Sequence, residues 1–191
     1  MSRIPNTKYL IKIAFLGALG FLLMYLEFPL PFMPPFLKFD FGDVPTLIAG
    51  FAYGPIAGII TETIKSVIFL LSGRSEAGII GTSASFVTGI SLVIPAALIY
   101  RWHRTLKGAI VSLAVGTVVM TVVITVADIY VFLPLWNIPV DQIMPMIKSA
   151  VIPFNLLKGL ITSTATFLLY KRMSSWLETE ALLTTADKYQ P

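Results

Sequence analysis

Hydrophobic residues are grouped along this chain in long runs, separated by short segments rich in proline, glycine and charged residues. At about 1.5 Å per residue in a helix, runs of this length match a hydrocarbon core about 30 Å thick. They therefore predict membrane-spanning helices. Four runs are each long enough for one span: residues 9–26, 78–100, 108–131 and 150–170.

A further run, residues 44–71, is too long for a single span and is interrupted at Gly54-Pro55. Because proline cannot continue a helix from the preceding turn, we expect two short helices, 44–53 and 56–71. The fold class is therefore predicted to be all-α, an integral membrane protein with six transmembrane helices and a proline- and aromatic-rich outer loop after the first.

The composition also indicates a membrane protein. Hydrophobic residues make up 56% of the chain and charged residues 13%, and the mean hydropathy is +0.83. Soluble domains carry about 25% charged residues. We expect one membrane domain over residues 1–172 and a polar cytoplasmic tail over residues 173–191.

Several kinds of chemistry are disfavoured by what the sequence lacks. It contains no cysteine, which excludes disulfides, iron–sulfur clusters and thiolate metal sites. His103 is the single histidine, which argues against a histidine-based metal site. No Gly-Lys dipeptide occurs, so there is no P-loop. The carboxylates are scattered without a nucleophile–base pair, and a membrane enzyme is accordingly disfavoured.

The segment after the first run, residues 28–43, contains four prolines and five phenylalanines. The prolines are incompatible with a helix. The aromatic residues are incompatible with a freely solvated loop, because exposed aromatic patches are costly. We predict that this segment folds back over the outer membrane face as a lid. The alternative is an aromatic belt at the membrane interface.

Lys158, inside the last run, is the most informative polar residue. A charge within such a segment costs on the order of 3 kcal/mol even on lenient insertion scales. Asn155 precedes it by one turn on the same face, and two threonines continue the stripe. Lys158 either snorkels or pairs with a carboxylate such as Glu62 or Asp128 to hold helices together, or it lines a cavity with Asn155 and binds a polar solute. We favour the cavity.

Other predicted helices carry polar residues whose role, structural or ligand-binding, the sequence alone does not decide. Glu62 and Lys65 lie one turn apart and would neutralise each other, as a structural ion pair or as ligand contacts. In the fifth helix a stripe of threonines leads to Asp128, which is a satisfied interfacial acid or part of the cavity of Lys158. Thr82, near the start of the fourth helix, belongs to tight packing or to a pocket wall.

Together these positions predict an outward-facing pocket with apolar walls and few polar groups, the usual construction of a small-molecule site. Asparagine supplies a donor and an acceptor, and lysine donates to a carbonyl or an anion. A planar heteroaromatic ligand with edge carbonyls and ring nitrogens would suit such a pocket. The expected aromatic walls are Phe36, Phe39, Phe86 and Phe154.

The basic residues predict the orientation in the membrane. With six spans, nine of them fall on one side and three on the other. The positive-inside rule then places both termini in the cytoplasm and the lid outside. The nine are Arg3, Lys8, Lys12, Arg101, Arg104, Lys107, Lys171, Arg172 and Lys188, and the three are Lys38, Arg74 and Lys148.

The first helix carries small residues at a spacing that suits helix association. Ala14 and Ala18 are four residues apart, with Gly17 and Gly20 close by. Residues of this size allow another helix to approach closely. Contact with a second subunit and ordinary internal packing both agree with the pattern.

Two segments resemble one family of membrane proteins. Leu37-Lys38-Phe39-Asp40-Phe41-Gly42-Asp43-Val44-Pro45, followed by Gly54-Pro55-x-x-Gly58, is similar to the substrate-binding S components of energy-coupling factor vitamin transporters. The segment Pro153-Phe154-Asn155-x-x-Lys158-Gly159 resembles the riboflavin-specific members of that family.

The resemblance implies a six-helix S component of the bacterial plasma membrane that binds riboflavin from outside, as a transported ligand and not as a cofactor. It implies no ATP hydrolysis by this chain, no metal and no nucleic-acid partner. Ala14 and Ala18 would dock to a transmembrane coupling subunit, which works with two cytoplasmic ATPases. We assign ligand binding to Phe39, Asp40, Thr82, Phe86, Asp128, Asn155 and Lys158, and gating by the first outer loop to Phe36, Lys38 and Asp43.

Two alternatives stay open. The first is the same kind of component carrying another vitamin, such as thiamine or a pyridoxine-like compound. The second is a membrane structural or assembly protein whose buried polar residues only hold helices together. A bound yellow chromophore with flavin absorption would separate riboflavin from both.

Overall fold

A computed structural model describes residues 7–75 and 77–186 of the chain. The backbone in these ranges is almost entirely helical, as predicted. The elements, in order, are α1 (Thr7–Tyr25), β1 (Phe28–Pro29), β2 (Lys38–Phe39), α2 (Asp43–Tyr53), α3 (Pro55–Leu71), α4 (Gly78–Trp102), α5 (Leu106–Ala127), the π-helical turn π1 (Asp128–Phe132), α6 (Leu133–Leu135), α7 (Val140–Met146), a second π-helical turn π2 (Ile147–Val151) and α8 (Ile152–Ala186).

Four helical segments of the described ranges are long and apolar enough to cross a membrane. They are Thr7–Tyr25, Gly78–Trp102, Leu106–Leu135 and Val140–Tyr170. The remaining helices of the bundle, α2 and α3, are shorter, at 11 and 17 residues. The chain is therefore a multi-pass helical membrane protein.

The predicted break between the two short helices lies at Gly54. This residue has φ +97°, a backbone conformation that glycine adopts without steric cost. Pro55 is then the first residue of α3, where its missing N–H removes no helical hydrogen bond. Helices α2 and α3 pack closely against each other after this break: a Cβ added at Gly58 would lie 3.3 Å from the Cα of Gly50.

The segment between α1 and α2 folds back onto the bundle, and its described backbone contains no helix. It forms a two-residue antiparallel pair, with Phe28 opposite Phe39, an element that the sequence pattern did not predict. The rings of these two residues are 5.7 Å apart, which favours the pairing. Leu37 and Phe39 pack with Phe154 of α8. The segment is thus held against the last helix.

The segment 132–148, which lies between the last two predicted spans, is largely helical. Helix α7 begins at Val140, so the last helical segment starts ten residues before the predicted position of Ala150. Pro139 immediately precedes α7, where its fixed φ favours a helix start. The two π-helical turns flank this segment.

The predicted tail does not begin at a helix end, because the backbone of α8 continues to Ala186. Residues 173–186 contain neither glycine nor proline, so nothing in their sequence stops the helix. The tail residues 187–191, and the predicted topology residues Arg3 and Lys188, lie outside the described part of the chain.

Helix α1 packs on the bundle through one face only. Gly17 and Gly20 are buried there, and a Cβ at Gly17 would lie 2.6 Å from Ile64 of α3. Ala14 and Ala18 are exposed. The sequence left two roles open for the small residues of this helix, internal packing and contact with a second subunit. Internal packing therefore applies to the glycines and not to the alanines.

Helices α4 and α5 approach each other closely at Gly116, where an added Cβ would lie 2.9 Å from the backbone oxygen of Leu92. Backbone cannot move aside as a flexible side chain can, so we expect Gly116→Ala to lower stability by about 1–3 kcal/mol. Val122→Ala, at an exposed position of α5, serves as the control. Thermal unfolding in detergent checks both, and equal unfolding temperatures would contradict the expected contact.

Candidate ligand-binding site

A cavity of about 420 Å³ lies between the segment before α2, the start of α4 and the segment after π1. Its volume falls within the range of small-molecule sites, about 300–1,000 Å³. Phe36 and Trp136 lie at its wall, with ring centroids 5.0 Å apart and planes inclined by 47°. The cavity therefore has an aromatic side suited to a flat ligand.

A smaller chamber of about 60 Å³ adjoins this cavity. The two share Phe36, Lys38, Gly81, Ser85 and Trp136 as lining residues. The chamber, unlike the larger cavity, is also lined by four further polar side chains, those of Thr88, Asp128, Asn155 and Lys158.

Asn155 and Lys158 lie side by side on the first turns of α8, as the sequence predicted. Asn155 donates from Nδ2 to the backbone oxygen of Val151 at 2.9 Å, which fixes the orientation of the amide. Lys158 donates from Nζ to Oδ2 of Asp40 at 2.8 Å. Both side chains are buried, and both line the chamber.

Five ionisable side chains, each at most 5% exposed, form a network beside the chamber. Asp43 is shared between two lysines: Oδ1 lies 2.5 Å from Nζ of Lys65, and Oδ2 lies 3.4 Å from Nζ of Lys158. Lys65 also contacts Oε2 of Glu62 at 2.8 Å. Such pairing offsets the cost of charges within a membrane-spanning bundle. The members of this ion network are Asp40, Asp43, Glu62, Lys65 and Lys158.

The two interpretations of Lys158 combine in the structure, because this lysine is both paired and at the cavity wall. Its partners are Asp40 and Asp43, however, and not Glu62 or Asp128. Asp40 comes from the irregular segment before α2, whose path the hydrophobic pattern does not predict. The expected pairing of Glu62 with Lys65 within α3 is present.

The predicted site residues fall into three groups. Phe36, Lys38, Asp128, Asn155 and Lys158 line the chamber together. Phe39, Asp40 and Asp43 are buried behind it. Thr82 and Phe86 do not line it; they lie along a separate groove with residues of α3 such as Val67 and Leu70.

The position of Thr82 and Phe86 follows from the rotation of α4 about its axis. The face that α4 presents to the cavity carries Gly81, Ser85 and Thr88, at spacings of four and three. Thr82 instead donates back to the carbonyl oxygen of Gly78 at 3.0 Å. The small-residue cluster at the start of α4 indicated a pocket wall, but it did not indicate which side of the helix faces the pocket.

Trp136 is the main site residue that sequence reasoning did not assign. It directly follows the short helix α6, which ends at Leu135. Its ring packs against that of Phe36 at the cavity wall. The signal that could have found it is the type of residue, because a tryptophan in a short segment between apolar runs is a candidate to pack on the phenylalanines of residues 28–43.

Comparisons of the sequence and of the fold connect this chain with known proteins. The family described as "ECF transporter, substrate-specific component" matches residues 8–170. Riboflavin transporter RibU of Staphylococcus aureus (strain TCH60) is 37% identical over 179 residues, which cover 91% of this chain and 94% of the relative. Riboflavin transporter FmnP of Bacillus subtilis (strain 168) is 32% identical over 181 residues, covering 91% and 95%.

A solved structure, "Structure and mechanism of the S component of a bacterial ECF transporter", is 38% identical and has a TM-score of 0.80 to this fold. The similarity covers 89% of this chain and 97% of that one. Sequence and fold therefore agree over most of the length, and the family resemblance inferred from the segments 37–58 and 153–159 is confirmed. This chain belongs to the family of substrate-specific components of ECF transporters.

Proposed function

We propose that this chain binds riboflavin from outside the cell and delivers it to the energy-coupling subunits of an ECF transporter. The observation that carries this proposal is the pair Asn155 and Lys158 in the chamber beneath an aromatic cavity. The names of the S. aureus and B. subtilis relatives, both riboflavin transporters, support the choice of vitamin. In this role the chain binds a ligand and carries out no catalysis.

The chemistry of riboflavin matches the two compartments. Its tricyclic ring has a polar edge with two carbonyl groups and an N–H, which the amide of Asn155 and the ammonium of Lys158 complement. The flat ring would lie in the larger cavity, beside Phe36 and Trp136. Asp128, which also lines the chamber, offers an acceptor to a ligand N–H or hydroxyl. Thr82 and Phe86 are left out of the proposed site.

Purification without added ligand tests the proposal directly. The protein from riboflavin-containing medium should be yellow and show flavin absorption. After removal of the ligand, added riboflavin should lose its fluorescence on binding, because aromatic side chains stack against the ring. A colourless protein that leaves riboflavin fluorescence unchanged would contradict the proposal, and thiamine and pyridoxine serve as the competing ligands in the same titration.

We also propose that the energy comes from other chains: a transmembrane coupling subunit and two cytoplasmic ATPases. The sequence has no P-loop, in agreement with this division. The exposed face of α1 that carries Ala14 and Ala18 would contact the coupling subunit, because small side chains let a helix approach closely.

The proposed topology has six crossings, with both termini in the cytoplasm. Helix α2 is about 16 Å long at 1.5 Å per residue, and the buried residues Phe39 and Asp40 before it extend this crossing toward the outer side. Irregular backbone is tolerated at such depth where protein surrounds it. At the other end of the bundle, Tyr9 near the start of α1 contacts Tyr53 at the end of α2, and Tyr100 near the end of α4 contacts Tyr170 of α8. These contacts are as expected if the six crossings alternate, so that α2, α4 and α8 run in one direction and α1 in the other.

Cysteine labelling tests this topology, and the sequence is suited to it because it contains no cysteine. Both Ser72 and His103 are exposed. We expect Ser72→Cys to react with a membrane-impermeant maleimide in intact cells, and His103→Cys to react only after the membrane is opened. The reverse pattern would contradict the orientation, and labelling of both in intact cells would contradict the number of crossings between them.

A further inference from the structure

The ion network contains two lysines that differ in their position relative to the chamber. Lys158 lines the chamber, whereas Lys65 lies behind it on α3 and is absent from the chamber wall. Both lysines contact the same carboxylate, that of Asp43. The two contacts are unequal, at 2.5 Å for Lys65 and 3.4 Å for Lys158. Asp43 is therefore held mainly by the lysine that the ligand does not reach.

The longer contact leaves Lys158 available to a ligand. An ammonium group has three N–H donors. Within the described residues, Lys158 donates one of them, to Asp40, and Oδ2 of Asp43 receives no hydrogen bond although it lies 3.4 Å away. Among the described residues, the remaining N–H groups of Lys158 thus meet only the longer contact with Asp43. They are at the chamber wall, where the polar edge of a ligand would lie.

Lys65 is itself fixed from the other side. Glu62 contacts it at 2.8 Å and accepts hydrogen bonds from the hydroxyl groups of Thr46 at 3.0 Å and Ser66 at 3.3 Å. The backbone of α4 closes over this carboxylate, because a Cβ at Gly89 would lie 2.5 Å from Oε1 of Glu62. Lys65 is therefore held where it meets Asp43.

We propose that Lys65 is a positioning residue for ligand recognition, which holds the Asp43 carboxylate away from Lys158 so that Lys158 keeps donors for the ligand. The inference rests on the proposed function, since riboflavin affinity is one of its readouts. Without Lys65, Lys158 is the remaining cation of the network and moves toward Asp43. Charges in a low-dielectric bundle attract each other strongly enough for this shift.

The proposal predicts different effects on riboflavin affinity from two substitutions in the same ion network: one weakens binding and the other does not. Lys65→Met removes the competing cation but keeps an unbranched apolar stem, and should raise the riboflavin dissociation constant about tenfold. Asp43→Asn removes the carboxylate for which the two lysines compete. It should leave the affinity unchanged or increase it, because Lys158 then pairs with Asp40 alone.

The double variant Lys65→Met/Asp43→Asn provides the decisive comparison. It lacks both the positioning lysine and the carboxylate that would capture Lys158, so the affinity should return to within about twofold of the unmodified protein. A purely structural role of Lys65 instead predicts that the affinity of each variant falls and recovers in step with its unfolding temperature, which is measured in parallel. Tyr100→Phe, which removes a hydrogen bond to Tyr170 at the opposite end of the bundle, controls for general destabilisation and should leave the affinity unchanged.

A second readout needs no ligand. Reductive methylation of Lys158, followed by mass spectrometry of its peptide, should be slower in Lys65→Met than in the unmodified protein, because Lys158 then pairs with Asp43 as well as with Asp40, and the rate should recover in the double variant. An unchanged rate in Lys65→Met would overturn the proposal, as would failure of the double variant to recover affinity. If the unmodified protein does not bind riboflavin, the proposed function fails, while the methylation rates still decide the role of Lys65.

Discussion

Replacement of Lys158 by alanine is expected to raise the riboflavin dissociation constant by about tenfold to a hundredfold. A hydrogen bond to a charged group contributes about 1.5–3 kcal/mol, and the loss leaves a polar ligand atom buried without a partner. Asn155→Ala should weaken binding by about tenfold for the same reason; the effect is smaller because the amide of Asn155 is uncharged. Fluorescence quenching on ligand-free protein measures both.

The control must separate ligand contact from fold stability, because Lys158 also neutralises Asp40 and Asp43. Lys158→Met/Asp40→Asn removes one charge of each sign and keeps the bulk of both side chains. Ser163→Ala, on the same helix, removes a hydrogen bond to Thr117 away from the chamber. Unchanged affinity together with a lowered unfolding temperature in the Lys158 variants would assign this lysine to helix packing alone.

A tryptophan at Ala14 or Ala18 is expected to abolish riboflavin uptake while leaving binding nearly intact. Both positions are exposed, so the larger side chain has room in the isolated protein but would block the approach of a second helix. The chain should be expressed together with its coupling subunit and ATPases, with uptake measured in cells and affinity on the purified protein.

Val118→Trp, at an exposed position of α5, is the matched control for a tryptophan facing the membrane. It should leave uptake intact. A parallel loss of binding and uptake in Ala14→Trp or Ala18→Trp would show that this face affects the fold. Normal uptake in both variants would place the coupling contact elsewhere on the chain.

The features that depend on local sequence were predictable. Apolar runs located the long helices, and the Gly54-Pro55 break followed from the steric limits of proline. A lysine in a membrane segment is costly enough to require a partner or a function, and Lys158 was informative for that reason. Its helical spacing to Asn155 was sufficient to place both on one face.

The features that depend on long-range packing were not predictable. The partner of Lys158 comes from an irregular segment, so no periodicity indicated Asp40. The rotation of α4 decides whether Thr82 or Ser85 faces the cavity, and it is set by contacts such as that of Gly89 with Glu62. The hydrophobicity of α4 is nearly uniform around its axis, because protein and lipid both favour apolar side chains there.

The bridge between Asp40 and Lys158 joins residues 118 positions apart in the sequence, and this has a consequence for biosynthesis. The ribosome releases the first helices well before α8. Until then, the acids Asp40, Asp43 and Glu62 have one lysine of the ion network, Lys65, to share between them. The nascent protein therefore carries excess negative charge where the finished bundle is balanced more closely. Insertion of the last helix both relieves that charge and completes the chamber, so a chain that stops short of α8 should be recognised and degraded as unfinished.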